Sequence, residues 1–471
     1  MSFDVHKSKY NKAMKAIITN KFTIVKEPTD VVIQSLRERL TFEDKAIKYQ
    51  LRRMEKNPFQ RNTPYYNKLK KEVTQTLIKD LNGHMAFNSG LSYLVEGVME
   101  VVDMRKDTGP KVVLPWKTKP HDPRPYQEDA IQLCLDNWRA IINFATGMGK
   151  TLTAIHLIKR LQKKTLIVVP SDSIAKQFYN ELVSAFGEKN VGFYGGGKKK
   201  IKDITVGIAA SVIRGTEDFK TADLGCIIFD EVHHIAASTF YDIAVALGDV
   251  GRIYGLTATD YRSDGKDILI HAGCGQVIIR RDVKWGIDNG FLAKPKFIVS
   301  KIATGGFDYQ NDKIKSYKEH VLNNQIMKTK ILNDIQYYLS QGLSVLCLVD
   351  ETTHGEELSK QTGLPFAQGK DKQSNKYVED LNNGAINGLI GTDGRIGEGT
   401  DTRRVDVLIL ANFVASKGPV IQAIGRGLRK YGTKTDCIVL DYIPEGSTML
   451  TRHGQARISF YKEITNDIQI I

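Results

Sequence analysis

From about residue 121 the chain alternates short apolar runs with longer amphipathic stretches, a rhythm that predicts a layered α/β fold. Runs at 140–144, 165–169, 205–209, 226–229 and 253–256 read as strands buried on both faces, because a strand with one wet face would alternate apolar and polar residues. Between them, 152–163 and 173–186 carry the helical period. The rhythm restarts after a polar, Gly- and Lys-containing stretch at 302–318, with strands expected at 345–349, 388–392, 407–411 and 437–440. The fold class expected is therefore α/β, with two tandem parallel-sheet domains of about 150 residues each. They meet near 289–295, giving expected bounds of 116–292 and 293–445, with a tail at 446–471. Residues 1–115 lack the rhythm and read as a separate small, basic α+β domain.

Charge sharpens this division. The 471 residues hold 67 Lys and Arg against 53 Asp and Glu, a net of +14. Residues 1–120 carry 23 of the former and 13 of the latter, so their net is +10. A basic module beside a near-neutral remainder suggests a polyanion partner, although a solvated basic surface gives the same count. No apolar run approaches the roughly 18 residues that would read as a membrane span. The basic N-terminus has no apolar segment behind it, so no secretory signal is expected and the location expected is cytoplasmic, the host cytoplasm if the protein is viral. Cysteines 134, 226, 274, 347 and 437 are far apart and form no CxxC pair, which reads as buried thiols in a reducing compartment.

Two segments carry the chemistry. Ala145, Thr146, Gly147, Met148, Gly149, Lys150 and Thr151 follow an expected strand and open an expected helix. In that setting small residues let backbone N–H groups wrap phosphates, Lys150 reaches the β and γ oxygens, and the Thr151 hydroxyl takes Mg²⁺. Phe144 stands where the strict phosphate-loop pattern has its first glycine, so a chance loop stays open for this motif alone. The second segment, 226–234, is an apolar strand ending in Asp230 and Glu231, then Val232, His233 and His234. Asp230 can hold Mg²⁺ through water, and Glu231 can polarise an attacking water. A zinc site at His233 and His234 lacks both the HExxH spacing and a cysteine partner.

With Asp230-Glu231-Val232-His233 the sequence resembles the superfamily 2 helicases of the DExH type, and the resemblance extends over most of the chain beyond residue 120. It implies two RecA-like domains, with ATP and Mg²⁺ as cofactors. Arg124, Tyr126 and Gln127 resemble the family's adenine-reading Q motif, in which Gln127 would bond adenine and Tyr126 or Arg124 would flank it. Thr257-Ala258-Thr259, followed by Arg262, Asp264 and Gly265, matches motif III. Gly399 and Asp401, within 397–401, match motif V, whose acid contacts nucleotide or the arginine helix. Gln422, Arg426 and Arg429 match motif VI, and the resemblance gives the two arginines, with Lys150, Asp230 and Glu231, catalytic roles at the γ-phosphate.

The resemblance also implies a nucleic-acid track. Pro170, Ser171, Ser173 and Gln177 match motif Ia, Ser211 occupies the motif Ib position, 350–354 with His354 follows a strand as motif IV does, and Thr392 opens motif V. Such hydroxyls and amides would grip successive phosphates without reading sequence; ordinary helix capping accounts for the same residues singly. Lys198, Lys199 and Lys200 could add contacts or form a solvated tip. In the N-terminal module Arg52, Arg53, Lys56, Arg61, Lys68, Lys70 and Lys71 interleave with Phe59, Tyr65 and Tyr66, which suits base stacking at a junction and equally a small core with a basic exterior.

Within the superfamily, the continuation after the TAT motif and the basic N-terminal module look like the XPB-like and phage UvsW-like branch. That branch implies a monomeric DNA motor acting on forked or branched DNA, in branch migration, fork remodelling, recombination and repair. An RNA-directed helicase and a double-strand translocase that never separates strands use the same engine. A binding protein built on a dead motor is disfavoured, because Lys150, Asp230, Glu231, Arg426 and Arg429 are all present.

Overall fold

The computed structural model describes residues 14–232, 237–258, 265–310, 312–369, 371, 373–397 and 402–471. The chain divides into two units, one running to Asn143 and resuming over Lys150–Arg280, the other comprising Phe144–Gly149 and Arg281–Ile471.

The first unit is built on an eight-stranded sheet in the order Lys198–Lys200, Val191–Gly195, Ile204–Ile208, Thr165–Val169, Cys226–Phe229, Arg252–Thr257, Arg139–Phe144, Val277–Arg281. From Val191–Gly195 to Arg139–Phe144 neighbouring strands run parallel, while Lys198–Lys200 is an antiparallel edge. The central strands are apolar without interruption because helices cover both faces. Leu166, Val168, Ile227 and Phe229 are completely buried, packed against Val212, Phe240 and Ile243. Each such side chain contributes about 1.5–3 kcal/mol when taken out of water.

The N-terminal residues form a second sheet in this unit, ordered Lys79–Leu81, His84–Asn88, Phe22–Lys26, Lys15–Ile18, Glu100–Asp103. It is welded to the larger sheet's layer rather than tethered to it. Its core, including Ala16, Val25, Leu36 and Phe87, also contains Leu269 and Ala272 of helix Asp267–Cys274. Gly90 lies so close to that helix that a Cβ would sit 2.3 Å from the His271 carbonyl oxygen. Arg139, buried and held below its usual basicity (about 10) by burial, donates to the carbonyl oxygens of Asn20, Gly248 and Gly273. The separate module expected from the sequence thus shares its core with residues 267–274.

A helical hairpin stands out from this sheet, Lys45–Glu55 and Pro64–Glu72, bracketed by the antiparallel pair Thr41–Glu43 and Thr74–Thr76. Asp44 caps the first helix by accepting from the N–H groups of Ala46 and Ile47, and Thr63 caps the second by accepting from Tyr66. Its small core is Leu51, Met54 and Leu69. Lys266, 2.5 Å from Asp44, ties the hairpin base to the rest of the unit.

The second unit carries a seven-stranded, wholly parallel sheet in the order Phe366–Ala367, Gly388–Thr392, Val345–Val349, Val407–Ala411, Asp436–Pro444, Lys294–Ile302, Ile468–Ile470. Val345, Cys347, Val349, Ile390 and Ile409 are completely buried with Met327, Ile331 and Ile335 of helix Gln325–Ser340. Residues expected as a tail belong to this sheet. Helix Thr448–Ile464 lies on it, with Tyr461 stacked 4.1 Å from Phe297, and Ile468–Ile470 pairs with Lys294–Ile302. No described helix is long and apolar enough to cross a membrane, and all five cysteines are buried and free.

Candidate functional site

In a parallel sheet the loops that follow the strands gather at one edge, and that edge holds most of the candidate residues. Strand Arg139–Phe144 is wholly buried, Phe144 included, so the absent first glycine is accounted for: its place is the last rung of a core strand. The loop then turns through Gly147 (φ +86°) and Gly149 (φ +78°), conformations that a side chain would strain. Ala145 and Met148 are buried, and the Met148 N–H donates to the Ala145 carbonyl at 3.1 Å. Thr146 is half-buried. Lys150 opens helix Lys150–Leu161, with half-buried Thr151 in its first turn. A helix N-terminus behind a glycine-bearing loop turns backbone N–H groups towards an anion.

Two strands away, Cys226–Phe229 ends and Asp230 extends its ladder by donating its N–H to the Val168 carbonyl at 2.9 Å. Glu231 has φ +46°, a left-handed conformation costing a non-glycine residue about 1–3 kcal/mol. That turn aims its carboxylate at Lys150, Nζ to Oε1 3.1 Å. Asp230 is buried, and its Oδ1 has no hydrogen-bond partner among the described residues. Burial, and then the Glu231 charge, push its carboxyl well above the usual carboxylate range. A hard divalent cation reverses both effects, and a carboxylate with a hydroxyl is the oxygen donor set that Mg²⁺ takes. Asp230 and Thr151 therefore fit the ion that the sequence implied.

The adenine-reading candidates are arranged otherwise than expected. Gln127 is buried, and its Oε1 accepts from the Arg124 N–H at 2.9 Å, closing a capping box on helix Pro125–Asp136. That oxygen serves the helix end rather than a base. Tyr126 is buried too, its hydroxyl accepting from Arg124 Nη1 at 3.2 Å, so its ring cannot flank adenine as placed. Arg124 is exposed and remains the candidate to do so.

On the track, Pro170, Ser171 and Ser173 follow strand Thr165–Val169, and the two serine hydroxyls lie 3.2 Å apart. Gln177 turns along its helix to donate to Glu181 at 3.0 Å. Ser211, half-buried, sits in the short helix after Ile204–Ile208, at the same sheet edge. In the second sheet Thr392 ends its strand opposite Val349, half-exposed. His354 is a correction. It is 1% exposed, its Nδ1 lies 3.2 Å from the Tyr317 hydroxyl, and burial pushes its pKa down to about 4. It is a neutral core histidine of helix Thr352–Thr362 and cannot touch a phosphate.

Gln422 and Arg426 are buried in helix Lys417–Gly427, and Arg429 is half-buried just beyond it. The motif V residues Gly399 and Asp401, with His233, His234, Thr259, Arg262 and Asp264, lie outside the described residues. Among the described residues no cluster of three His, Cys, Asp or Glu could hold a metal by itself.

In the helical hairpin Arg52 and Arg53 face solvent, and Phe59, in the turn between the helices, is 91% exposed. Tyr66, half-buried, packs against the hairpin's core, and its hydroxyl donates to Glu55 at 3.1 Å. The role of Arg139 had no signal in the sequence, where it falls just outside the apolar run 140–144.

Residues 120–262 match the family described as Type III restriction enzyme, res subunit. A protein of Halobacterium salinarum named putative DNA 3'-5' helicase Rad25 is 27% identical over 323 residues, 65% of this chain and 52% of that protein. A probable helicase of Escherichia phage T5, D10, is 26% identical over 374 residues, 77% of this chain and 79% of that protein. The chain spans about half the length of the first curated relatives it matches. A fragment of a putative HsdR subunit of a type I restriction enzyme from Vibrio vulnificus shares the fold, with a TM-score of 0.57 at 19% identity over 75% of this chain and 68% of that one.

Proposed function

We propose, for a chain that belongs to superfamily 2 of the helicase-type ATPases, that it couples ATP hydrolysis to movement along DNA and acts on forked or branched molecules. The observation that carries the ATPase is the 3.1 Å pairing of Lys150 with Glu231 beside the buried Asp230. In that pair the lysine holds the candidate base. A triphosphate gives Lys150 a denser anion to pair with, which releases the Glu231 carboxylate to orient and deprotonate water. Asp230 and Thr151 would hold Mg²⁺, which supplies charge neutralisation at the β and γ oxygens. The family resemblance assigns Arg426 and Arg429 to transition-state charge as well.

The choice of DNA structure rests on the helical hairpin. It carries Arg52, Arg53, Lys56 and Arg61, and exposes Phe59 at its turn. Cations neutralise phosphates at a junction while an exposed ring stacks on an unpaired base. Branch migration or fork remodelling, in recombination and repair, is the activity such a hairpin suits.

The test is ATP turnover with no DNA, single strand, linear duplex and fork, together with fork and duplex affinities at one salt concentration. Removing residues 1–117 is not a clean test, because Leu269 and Ala272 would lose their cover. Phe59→Ala and the pair Arg52→Glu, Arg53→Glu leave the hairpin core intact. DNA-stimulated turnover with an unchanged fork preference in both variants would move junction choice away from the hairpin. Turnover that no DNA stimulates would remove the motor.

A further inference from the structure

Between strand Lys294–Ile302 and helix Gln325–Ser340 the chain makes a connection that the sequence offers only as a polar linker. It leaves the carboxyl edge of the seven-stranded sheet, the edge that also carries Asp350 and Thr392. Its backbone is held by a buried relay. The Thr304 hydroxyl accepts from the Gly446 N–H at 3.2 Å and donates to His320 Nδ1 at 3.0 Å. His320, completely buried, then donates from Nε2 to the Phe307 carbonyl at 3.1 Å. Asn324 Nδ2 donates to the Thr304 carbonyl at 2.7 Å, and Thr448 donates to the Asp308 carboxylate.

These bonds hold the main chain but leave its rings outside. Phe307 is 66% exposed, and the half-exposed Tyr309 meets it edge-on at 4.9 Å. Lys315 Nζ stands 5.8 Å from the Tyr309 ring, and Lys313 and Lys318 are exposed nearby in sequence. Of the three acids of the segment, Asp308 is engaged by Thr448, Asp312 caps helix Lys313–Tyr317 and lies 3.6 Å from Lys315, and Glu319 is half-buried beside Gly306. An exposed phenylalanine forgoes the stabilisation that burial would bring, and a mobile linker would let it collapse onto the sheet. Here a satisfied polar network keeps it in water.

We propose that Phe307 and Tyr309 form a stacking platform for unpaired bases of a nucleic-acid strand, with Lys313 and Lys315 contacting its phosphates. The ring pair accepts any base face, and the lysines make the surface complementary to a polyanion and not to an apolar protein helix. This inference rests on the DNA-motor reading and adds to it a residue pair that separates strand holding from ATP turnover.

The experiment uses the full chain and two labelled strands of equal length, an oligothymidylate and its abasic counterpart, which keeps the phosphates and lacks the bases. The wild type is expected to bind the base-bearing strand on the order of tenfold more tightly than the abasic one. Phe307→Ala should erase most of that ratio, Phe307→Trp should keep it, and Lys315→Ala should weaken both strands alike. ATP turnover at saturating DNA should stay near wild type in all three. A wild-type ratio near one, or a ratio unchanged in both Phe307→Ala and Tyr309→Ala, overturns the platform while the motor reading stands. Absence of DNA-stimulated turnover in the wild type overturns the motor reading, and the platform with it.

Discussion

Lys150 Nζ lies 3.1 Å from Glu231 Oε1, with the two side chains only 11% and 19% exposed. A mostly buried pair of this kind holds each charge partly by the other, so the two members should fail differently. Lys150→Ala removes the phosphate ligand and leaves Glu231 beside Asp230 with no cation between them. It should lose ATP binding and turnover together. Glu231→Gln keeps the lysine as phosphate ligand and should bind ATP at least as well as wild type while turnover drops by about 10²–10⁴-fold. Nucleotide binding by fluorescence alongside phosphate release checks both, and near-normal turnover in either variant would falsify the assignment.

Arg426 and Arg429 flank the end of helix Lys417–Gly427. If they act on transition-state charge, alanine at either position should lower kcat by about 10³–10⁵-fold with DNA affinity little changed. Steady-state turnover and DNA binding should be measured on the same preparations. Loss of DNA binding with normal turnover would assign these arginines to the track instead.

Asp350 and His354 should give opposing pH dependences in the second unit. Burial pushes Asp350 up to about 7 and His354 down to about 4. Below about pH 6.5 the unfolded chain protonates a histidine that the folded protein keeps neutral, so the His354 contribution is lost as pH falls towards 4. Asp350 runs the other way: its folded form keeps a proton that the unfolded chain gives up above about pH 4, so its contribution is lost as pH rises through 7. Between these limits the two slopes offset. Asp350→Asn should therefore steepen the loss of Tm on acidification from pH 6.5 to 4.5, and His354→Gln should flatten it. Parallel Tm profiles for the wild type and both variants would refute the assignment of these two groups.

Arg457 and Asp441 are both about 1% exposed, and two hydrogen bonds of 2.8 Å join them, with the Tyr461 hydroxyl also donating to Asp441 at 2.8 Å. Arg457→Ala leaves a buried carboxylate and should cost roughly 3–5 kcal/mol. Arg457→Met combined with Asp441→Leu should recover most of that, since neither charge then remains to be desolvated. Urea midpoints of the single and double variants decide it, and a single variant within about 1 kcal/mol of wild type would show the pair to be dispensable.

How much of this was legible in the sequence follows from the range of the interactions involved. Strands Cys226–Phe229, Val345–Val349, Gly388–Thr392 and Val407–Ala411 have the bounds that their apolar runs predict, because a run buried on both faces has few other stable placements. The phosphate loop and the Asp230–Glu231 tip were equally legible, because strand, loop and helix N-terminus are contiguous in the chain. What the sequence did not determine depends on residues far apart. His354 reads as a residue following strand 345–349 at the phosphate track, but packing against Tyr317 put it inside. Gln127 reads as a base-reading amide until the Arg124 N–H claims its oxygen. The short edge strand Ile468–Ile470 exists only because Lys294–Ile302 offers it an open ladder. The N-terminal sheet looked separable because charge and rhythm change near residue 116, yet Gly90 against His271 and the Arg139 bonds to Asn20, Gly248 and Gly273 join it to the larger sheet. Local pattern set the elements and the candidate chemistry; contacts between distant residues decided which faces are buried, and therefore which side chains are left to act.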